Sequence, residues 1–390
     1  HESEIAITGL KSYLDSGNPG RNIAVIGELD SVKVLGHPFG DKETTAAHAC
    51  GHHCQIAMML GVAVGLKASG VLESLSGKVT FMAVPAEEYI EIEYRDNLRR
   101  NGEIEFLGGK PEFVRLGHFD DIDMAMMTHT SVPTNDSKIT IGGTNVGMVG
   151  KSIQFSGVAS HAGGSPHLGV NALNAAMVAM SAIHAQRETY RDKDSIRIHP
   201  IITKGGVAVS SVPADVRMET YVRGGSIEAF LSASEKVDRA LRAGAMTVGG
   251  SVTIQTLPGY LPIQNNETFL DLYQNNAAEL VGQEKISRLP PHVMHGTGST
   301  DMGDISQLMP VIHPYVEAAS GNGHGIDYVI DDYELAVVTC AKAMAMTVID
   351  LLADGAANAS QIISENDSPL TIPSYLSLLR SMTKEETFKE

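Results

Sequence analysis

The sequence predicts a mixed-sheet α/β domain interrupted by an inserted ferredoxin-like βαββαβ unit. Short β-branched apolar runs recur with helical segments between them, and each ends in polar residues, the pattern of a sheet whose carboxyl edge carries a site. From Gly147 the order becomes strand, helix, strand, strand, helix, strand, which is the split βαβ arrangement. Beyond Gly259 the α/β texture resumes. Residues 1–146 and 259–390 are therefore expected to form one discontinuous domain, with residues 147–258 as the insertion.

The first run, RNIAVIGELDSV (21–32), reads as a buried strand that ends in acidic and small polar residues. QIAMMLGVAVGLKASG (55–70) has apolar residues at helical spacing and stops at Gly70, a natural C-cap. GKVTFMAVPAEE (77–88) is a second strand, halted by Pro85, that delivers Glu87 and Glu88. A third, DIDMAMMTHT (121–130), delivers His129.

Within the insertion, KSIQFSG (151–157) reads as a strand, and the segment 169–188 puts Leu173, Met177, Met180 and Ile183 on one helical face. SIRIHPII (195–202) and DVRMETYVRG (215–224) alternate like strands, residues 226–246 form a second amphipathic helix, and SVTIQTLPG (251–259) is the last strand. After it come a helix over NETFLDLYQNNAAELVG and a long helix from about Asp332 to Leu352. The tail beyond Ala353 reads as loop plus one short helix over SYLSLLRSM.

Composition narrows the function. A net charge of −17 without any basic run argues against nucleic-acid and anionic-membrane partners, because phosphate binding needs clustered Lys and Arg. Three cysteines in 390 residues are too few for a disulfide framework, so a reducing, cytoplasmic location is expected. The opening HESEIAITGLKSYL lacks a basic stretch followed by an apolar core, and no apolar run is expected to reach the ~18–20 residues of a membrane span. The chain opens on His1, so residues ahead of it are expected.

The densest chemistry is HACGHHC (48–54), set at a helix N-terminus. Cys50 and His52 offer a thiolate and an imidazole, and the helix terminus together with a nearby cation should lower the thiol pKa. The alternatives are a buried Cys with a satisfied core His, a zinc finger and a redox pair. No second ligand pair stands at finger spacing, and Cys50 and Cys54 are one residue too far apart for CxxC. Other ligands converge from elsewhere. In PAEE the adjacent Glu87 and Glu88 side chains diverge, so one can bind a cation while the other addresses a water. His129 arrives at a strand end, and His324 lies in the Gly-flanked loop SGNGHGIDY.

In these residues the chain resembles the dinuclear-metal amidohydrolases that include carboxypeptidase G, the aminoacylases, the indole-acetyl-amino-acid hydrolases and p-aminobenzoyl-glutamate hydrolase. The resemblance runs from about Asn22 to Leu352 and is closest to the Cys-Gly-His branch. It implies two divalent ions per chain (Zn, Mn or Co), with Cys50 bridging, His52 and His129 on one ion, and Glu88 and His324 on the other. Glu87 becomes the general base, taking a proton from the attacking water and returning it to the leaving amine. Glu28 stands where many members have a metal-binding His, and Asp30 is read as orienting an imidazole through its other nitrogen.

The resemblance also implies a lid and dimerisation role for the insertion. In SGVASHAGGSPHLGVNA, His161 would reach the partner subunit's site of a homodimer and donate to the developing oxyanion. In SSVPADVRMETYVR, Arg223 and Ser210 fall where the family holds the substrate carboxylate, with Ser210 replacing an Asn. His53 replaces the branch's usual Asp. Cys54 is assigned to helix packing. HGTGSTDMGDISQLMP (295–310) resembles the p-aminobenzoyl-glutamate hydrolase loop and should shape the leaving-group pocket. The implied activity is hydrolysis of N-acyl or N-aroyl amino acids. The alternatives are an exopeptidase acting on dipeptides and a non-catalytic metal- or ligand-binding homologue.

Overall fold

A computed structural model describes residues 1–389. The strands of its three larger sheets are β1 (Glu2–Ile5), β2 (Gly9–Asp15), β3 (Arg21–Glu28), β4 (Gly77–Val84), β5 (Met124–Met126), β6 (His129–Ser131), β7 (Ile139–Thr144), β8 (Gly147–Ser156), β9 (Arg197–Ile198), β10 (Ile201–Lys204), β11 (Asp215–Gly224), β12 (Ser251–Pro258), β13 (Ile286–Met294), β14 (Val311–Ile312), β15 (Tyr315–Glu317) and β16 (Lys384–Lys389). The helices are α1 (His52–Ala68), α2 (Ile92–Arg100), α3 (Gly109–Arg115), α4 (Ala172–Ala185), α5 (Ile227–Val248), α6 (Glu267–Val281), α7 (Met302–Ser306), α8 (Cys340–Leu352), α9 (Ala357–Glu365) and α10 (Ile372–Met382).

The first sheet runs β1-β2-β4-β3-β5-β14, with β4, β3, β5 and β14 mutually parallel and β1 and β2 antiparallel at one edge. β3 lies mid-sheet, which explains its unbroken apolar run: Ile23, Ala24, Val25 and Ile26 are all buried, as a parallel strand covered on both faces requires. The carboxyl ends of these four strands share one edge.

The second sheet runs β9-β11-β8-β12-β16, with β10 also on β11, and every pairing is antiparallel. β11 alternates half-buried and buried residues along its whole length, as expected of a strand with one face on a core. The order β8-α4-β9/β10-β11-α5-β12 is the ferredoxin-like one. The third sheet, β13-β7-β15-β6, sets β6 parallel to β15. The mixed α/β class read from the sequence is the class observed.

Several details differ from expectation. The buried face of α4 is Ala172, Ala175, Ala176, Ala179 and Ile183, whereas Met177 is 54% exposed. Small residues win because α4 lies close against α5: a Cβ on Gly244 would come within 2.4 Å of the Ala175 carbonyl oxygen. The strand expected over 195–202 is broken at Pro200 into β9 and β10. The tail is not loop plus one helix. It forms α9, α10 and β16, and β16 pairs with β12 to extend the second sheet.

The helical stretch Glu334–Leu352 has 19 residues and a mean hydropathy of 1.8, long and apolar enough to cross a membrane, contrary to the expectation of no such run. More than half of it is buried, and α8 packs on α1 and α6. Its apolarity belongs to the core.

Candidate metal centre and substrate cavity

Four side-chain groups reach the carboxyl edge of the first sheet by different routes. β3 ends in Glu28 and leads to Asp30, β4 leads through Pro85 to Glu87 and Glu88, β5 leads to His129, and α1 begins with His52. The turn after β4 is conformationally expensive: Ala86 and Tyr89 flank the two glutamates with φ of 66° and 55°. Gly51 (φ 94°) has no alternative, because a Cβ there would lie 1.9 Å from Thr130 Oγ1. That close approach seats Cys50 beside His129. His324 enters from its loop with φ 61°, its N–H donating to the Ala49 carbonyl at 2.8 Å.

Two donor groups result, Cys50 with His52 and His129, and Cys50 with Glu88 and His324; within each group the candidate ligand atoms lie within 4.8 Å of one another. Cys50 Sγ is 3.4 Å from His129 Nε2, and His324 Nε2 is 3.4 Å from Glu88 Oε2. A third group joins Glu28, His52 and Glu87. Asp30 ties two of these residues down: its carboxylate accepts the Glu88 N–H at 2.8 Å and stands 3.4 Å from His52 Nδ1, while its carbonyl is 3.0 Å from the same nitrogen. That leaves His52 Nε2 facing the cluster. His129 is fixed likewise, its Nδ1 lying 2.6 Å from the Thr130 carbonyl.

Glu88 Oε1 is buried without a hydrogen-bond partner, an arrangement that costs free energy unless something else satisfies it, and His52 Nε2, 3.1 Å from Glu28 Oε2, makes no well-aligned hydrogen bond. Thiol, imidazole and carboxylate donors around these atoms fit divalent ions.

Burial raises the Cys50 thiol pKa, with His52 opposing the rise and the Glu88 and Glu87 carboxylates adding to it, so thiolate there needs a nearby cation. Glu87 is 7% exposed, and burial, then the charges of Glu28 and Glu88, hold its pKa well above the usual carboxylate range.

Glu28 occupies its unusual position for a reason the sequence concealed. Its Oε1 is 2.5 Å from Lys110 Nζ, which also binds Asp301, and all three side chains are fully buried. Gln55 closes the arrangement, accepting the Glu28 N–H and donating to Glu28 Oε2, both at 2.9 Å. Burial alone would raise the Glu28 pKa, but the cations of Lys110 and His52 hold it well below normal. In FLGGKPEF nothing marks Lys110 as buried, so this network was missed.

A cavity of about 250 Å³ opens beside the cluster, lined by Cys50, Glu87, Glu88, His129, Arg223 and His324, and by His295, Gly296, Gly298, Ser299 and Thr300 of the loop. The loop expected to shape a pocket does line it. Arg223 Nη1 donates to Ser299 Oγ at 2.7 Å, and its guanidinium lies 5.1 Å from the Tyr221 ring centre. Among the described residues it has no carboxylate partner.

His161 and Ser210 do not line this cavity. They sit together on an exposed ladder, where His161 bridges Ser211 and the Ala162 N–H donates to the Ser210 carbonyl. His53 turns toward Tyr333, whose hydroxyl is 3.2 Å from Nε2, and burial lowers its pKa to about 4. Cys54 is fully buried among the apolar residues of α1 and α8.

The model of peptidase family M20/M25/M40 matches residues 24–350. The chain belongs to this family. Among M20 relatives, the mouse Xaa-Arg dipeptidase is 29% identical over 348 residues, covering 86% of this chain and 72% of the relative. A p-aminobenzoyl-glutamate hydrolase polypeptide from Escherichia coli K12 is 26% identical, covering 72% of this chain and 62% of the relative. The fold matches a dinuclear metal-binding M20 peptidase of Bacillus subtilis with a TM-score of 0.61 at 19% identity, over 90% of this chain and 87% of that one. An aminobenzoyl-glutamate utilization protein from Klebsiella pneumoniae gives 0.61 at 20% identity, over 88% and 74%. This M20 chain is an amide-bond hydrolase, which sets aside the non-catalytic alternative.

Proposed function

We propose that the protein hydrolyses the amide between an acyl or aroyl group and an amino acid or short peptide with a free carboxylate. One relationship carries this reading: Cys50 Sγ belongs to two of the three donor groups, so one side chain can bridge two ions, with Glu87 lining the same cavity. Cys50, His52 and His129 would hold the first ion, and Cys50, Glu88 and His324 the second. Two ions of the zinc, manganese or cobalt type would supply Lewis acidity at the amide carbonyl and acidify the attacking water.

The chain's own residues do the rest. Glu87 takes a proton from water as its oxygen adds to the carbonyl carbon, then gives that proton to nitrogen as the C–N bond breaks; the remaining proton of the new carboxylic acid passes to the amine, leaving carboxylate and ammonium. Asp30 keeps His52 and Glu88 in place. Arg223, a partly buried cation without a protein anion, holds the substrate carboxylate. Residues 147–258 serve as lid and dimerisation unit over the domain formed by 1–146 and 259–390. His161 donates to the oxyanion in the partner's site, and Ser210 beside it contributes a contact in the same composite site.

A dipeptidase reading has separate support in the similarity to the Xaa-Arg dipeptidase. Protein loaded with Mn or Zn and offered benzoyl-, acetyl- and p-aminobenzoyl-amino acids beside dipeptides decides the matter. Faster turnover of the acylated amino acids supports the first reading, faster turnover of dipeptides the second, and no turnover of either overturns both.

A further inference from the structure

One buried group beside the proposed centre is used neither by the donor groups nor by Arg223. His313 stands at the carboxyl end of β14, so the parallel strands β4, β3, β5 and β14 bring Glu87 and Glu88, Glu28 and Asp30, His129, and His313 to one edge. Its ring is 1% exposed and lines the cavity, and neither Nδ1 nor Nε2 has a hydrogen-bond partner. Only its backbone N–H is engaged, donating to Asn265 Oδ1 at 2.8 Å.

Idle nitrogens in a buried imidazole cost free energy, so the arrangement needs a return elsewhere. The unsatisfied Glu88 Oε1 belongs to a group that can hold an ion, whereas His313 belongs to none of the donor groups. Packing alone holds its ring. Tyr315 meets it edge-on with ring centres 4.8 Å apart, and His129 lies at 6.0 Å. His295 stacks flat on Tyr315 at 3.7 Å, and the Tyr315 hydroxyl is engaged by Asn145 Nδ2 at 2.9 Å. In its neutral form an imidazole with both nitrogens free in the cavity wall offers one donor and one acceptor, and the carboxylate of a substrate is already served by Arg223.

We infer that His313 is a substrate-binding residue that hydrogen-bonds an uncharged polar group, an amine, hydroxyl or amide, on the half of the substrate that lacks the carboxylate. This rests on the amide-hydrolase reading and names a specificity element within it.

The test compares p-aminobenzoyl and benzoyl amides of one amino acid, with metal content and melting temperature measured on the same preparations. Wild type should favour the p-aminobenzoyl compound by about tenfold or more in kcat/KM, the size of one well-placed hydrogen bond. H313F should erase that preference while keeping two ions per chain and the benzoyl rate within about threefold, and H313Q should retain part of it. Calorimetric binding of p-aminobenzoate against benzoate gives the same comparison without turnover. The inference is overturned if wild type shows no preference, if the preference survives in H313F, or if both variants lose an ion. Should H313F fail to fold, the wild-type and H313Q comparisons decide. If loaded wild type cleaves no amide at all, the functional reading fails, and the calorimetric preference still decides for or against His313.

Discussion

Lys110 Nζ lies 2.5 Å from Glu28 Oε1, and neither side chain has any exposure to solvent. Removing one member of such a network leaves buried charge unpaired. K110M is therefore expected to destabilise the protein by about 3–5 kcal/mol, and the triple variant K110M/E28L/D301L by much less. Urea unfolding of the metal-free proteins measures both. Equal losses in the two variants would mean that volume, not charge, governs this part of the core.

Arg223 should act on substrates through their carboxylate. R223A is expected to raise KM for free-acid substrates by roughly 10- to 100-fold, with a small effect on kcat, the magnitude of a charge-assisted hydrogen-bonded pair. Substrates with the carboxylate converted to a carboxamide should lose little further. If R223A impairs acid and carboxamide equally, Arg223 holds the loop at Ser299 rather than the substrate.

His295 gives the metal-free protein a pH signature. Burial lowers its pKa to about 4, so between about pH 6.5 and 4 the unfolded chain takes up a proton that the folded chain does not. Stability contributed by the neutral ring is present above pH 6.5, falls as the pH drops through that window, and levels below it. Urea midpoints at pH 7, 6, 5 and 4 should decline in that order, and less steeply in H295F.

Chelation separates a catalytic centre from a structural one. The core clusters of the first sheet are built from β3, β4 and β5 with α1, α6 and α8, none of which depends on an ion for its packing. A chelator should abolish hydrolysis while far-UV circular dichroism changes little. Coincident loss of both would assign the ions to folding.

The elements visible in the sequence were those whose pattern is set by burial alone. The apolar run of β3 and the alternation of β11 follow from two covered faces and one, and each reads correctly by itself. β16 does not, because KEETFK has no apolar alternation and becomes a strand only on the edge of β12. The face of α4 was misjudged because its side chains were ranked by size, when its neighbour α5 accepts only alanines at Gly244.

The site divides in the same way. That Cys50, His52, Glu88, His129 and His324 come together was legible from motif residues at strand ends and in a Gly-flanked loop, whatever they hold there. Lys110 and His313 were not, since a lysine on a short helix and a histidine before a proline look alike whether buried or exposed. His161 and Ser210 lie beside each other, away from the cavity.

The central claim is that a two-ion donor set works with Glu87 as the proton carrier. Metal content and initial hydrolysis rate, measured together on wild type and E87Q, test it most directly. Two ions per chain are expected in both proteins, with a rate in E87Q lower by about 10²–10⁴-fold. A metal-loaded E87Q that hydrolyses like wild type, or a wild type that binds no second ion, would contradict it.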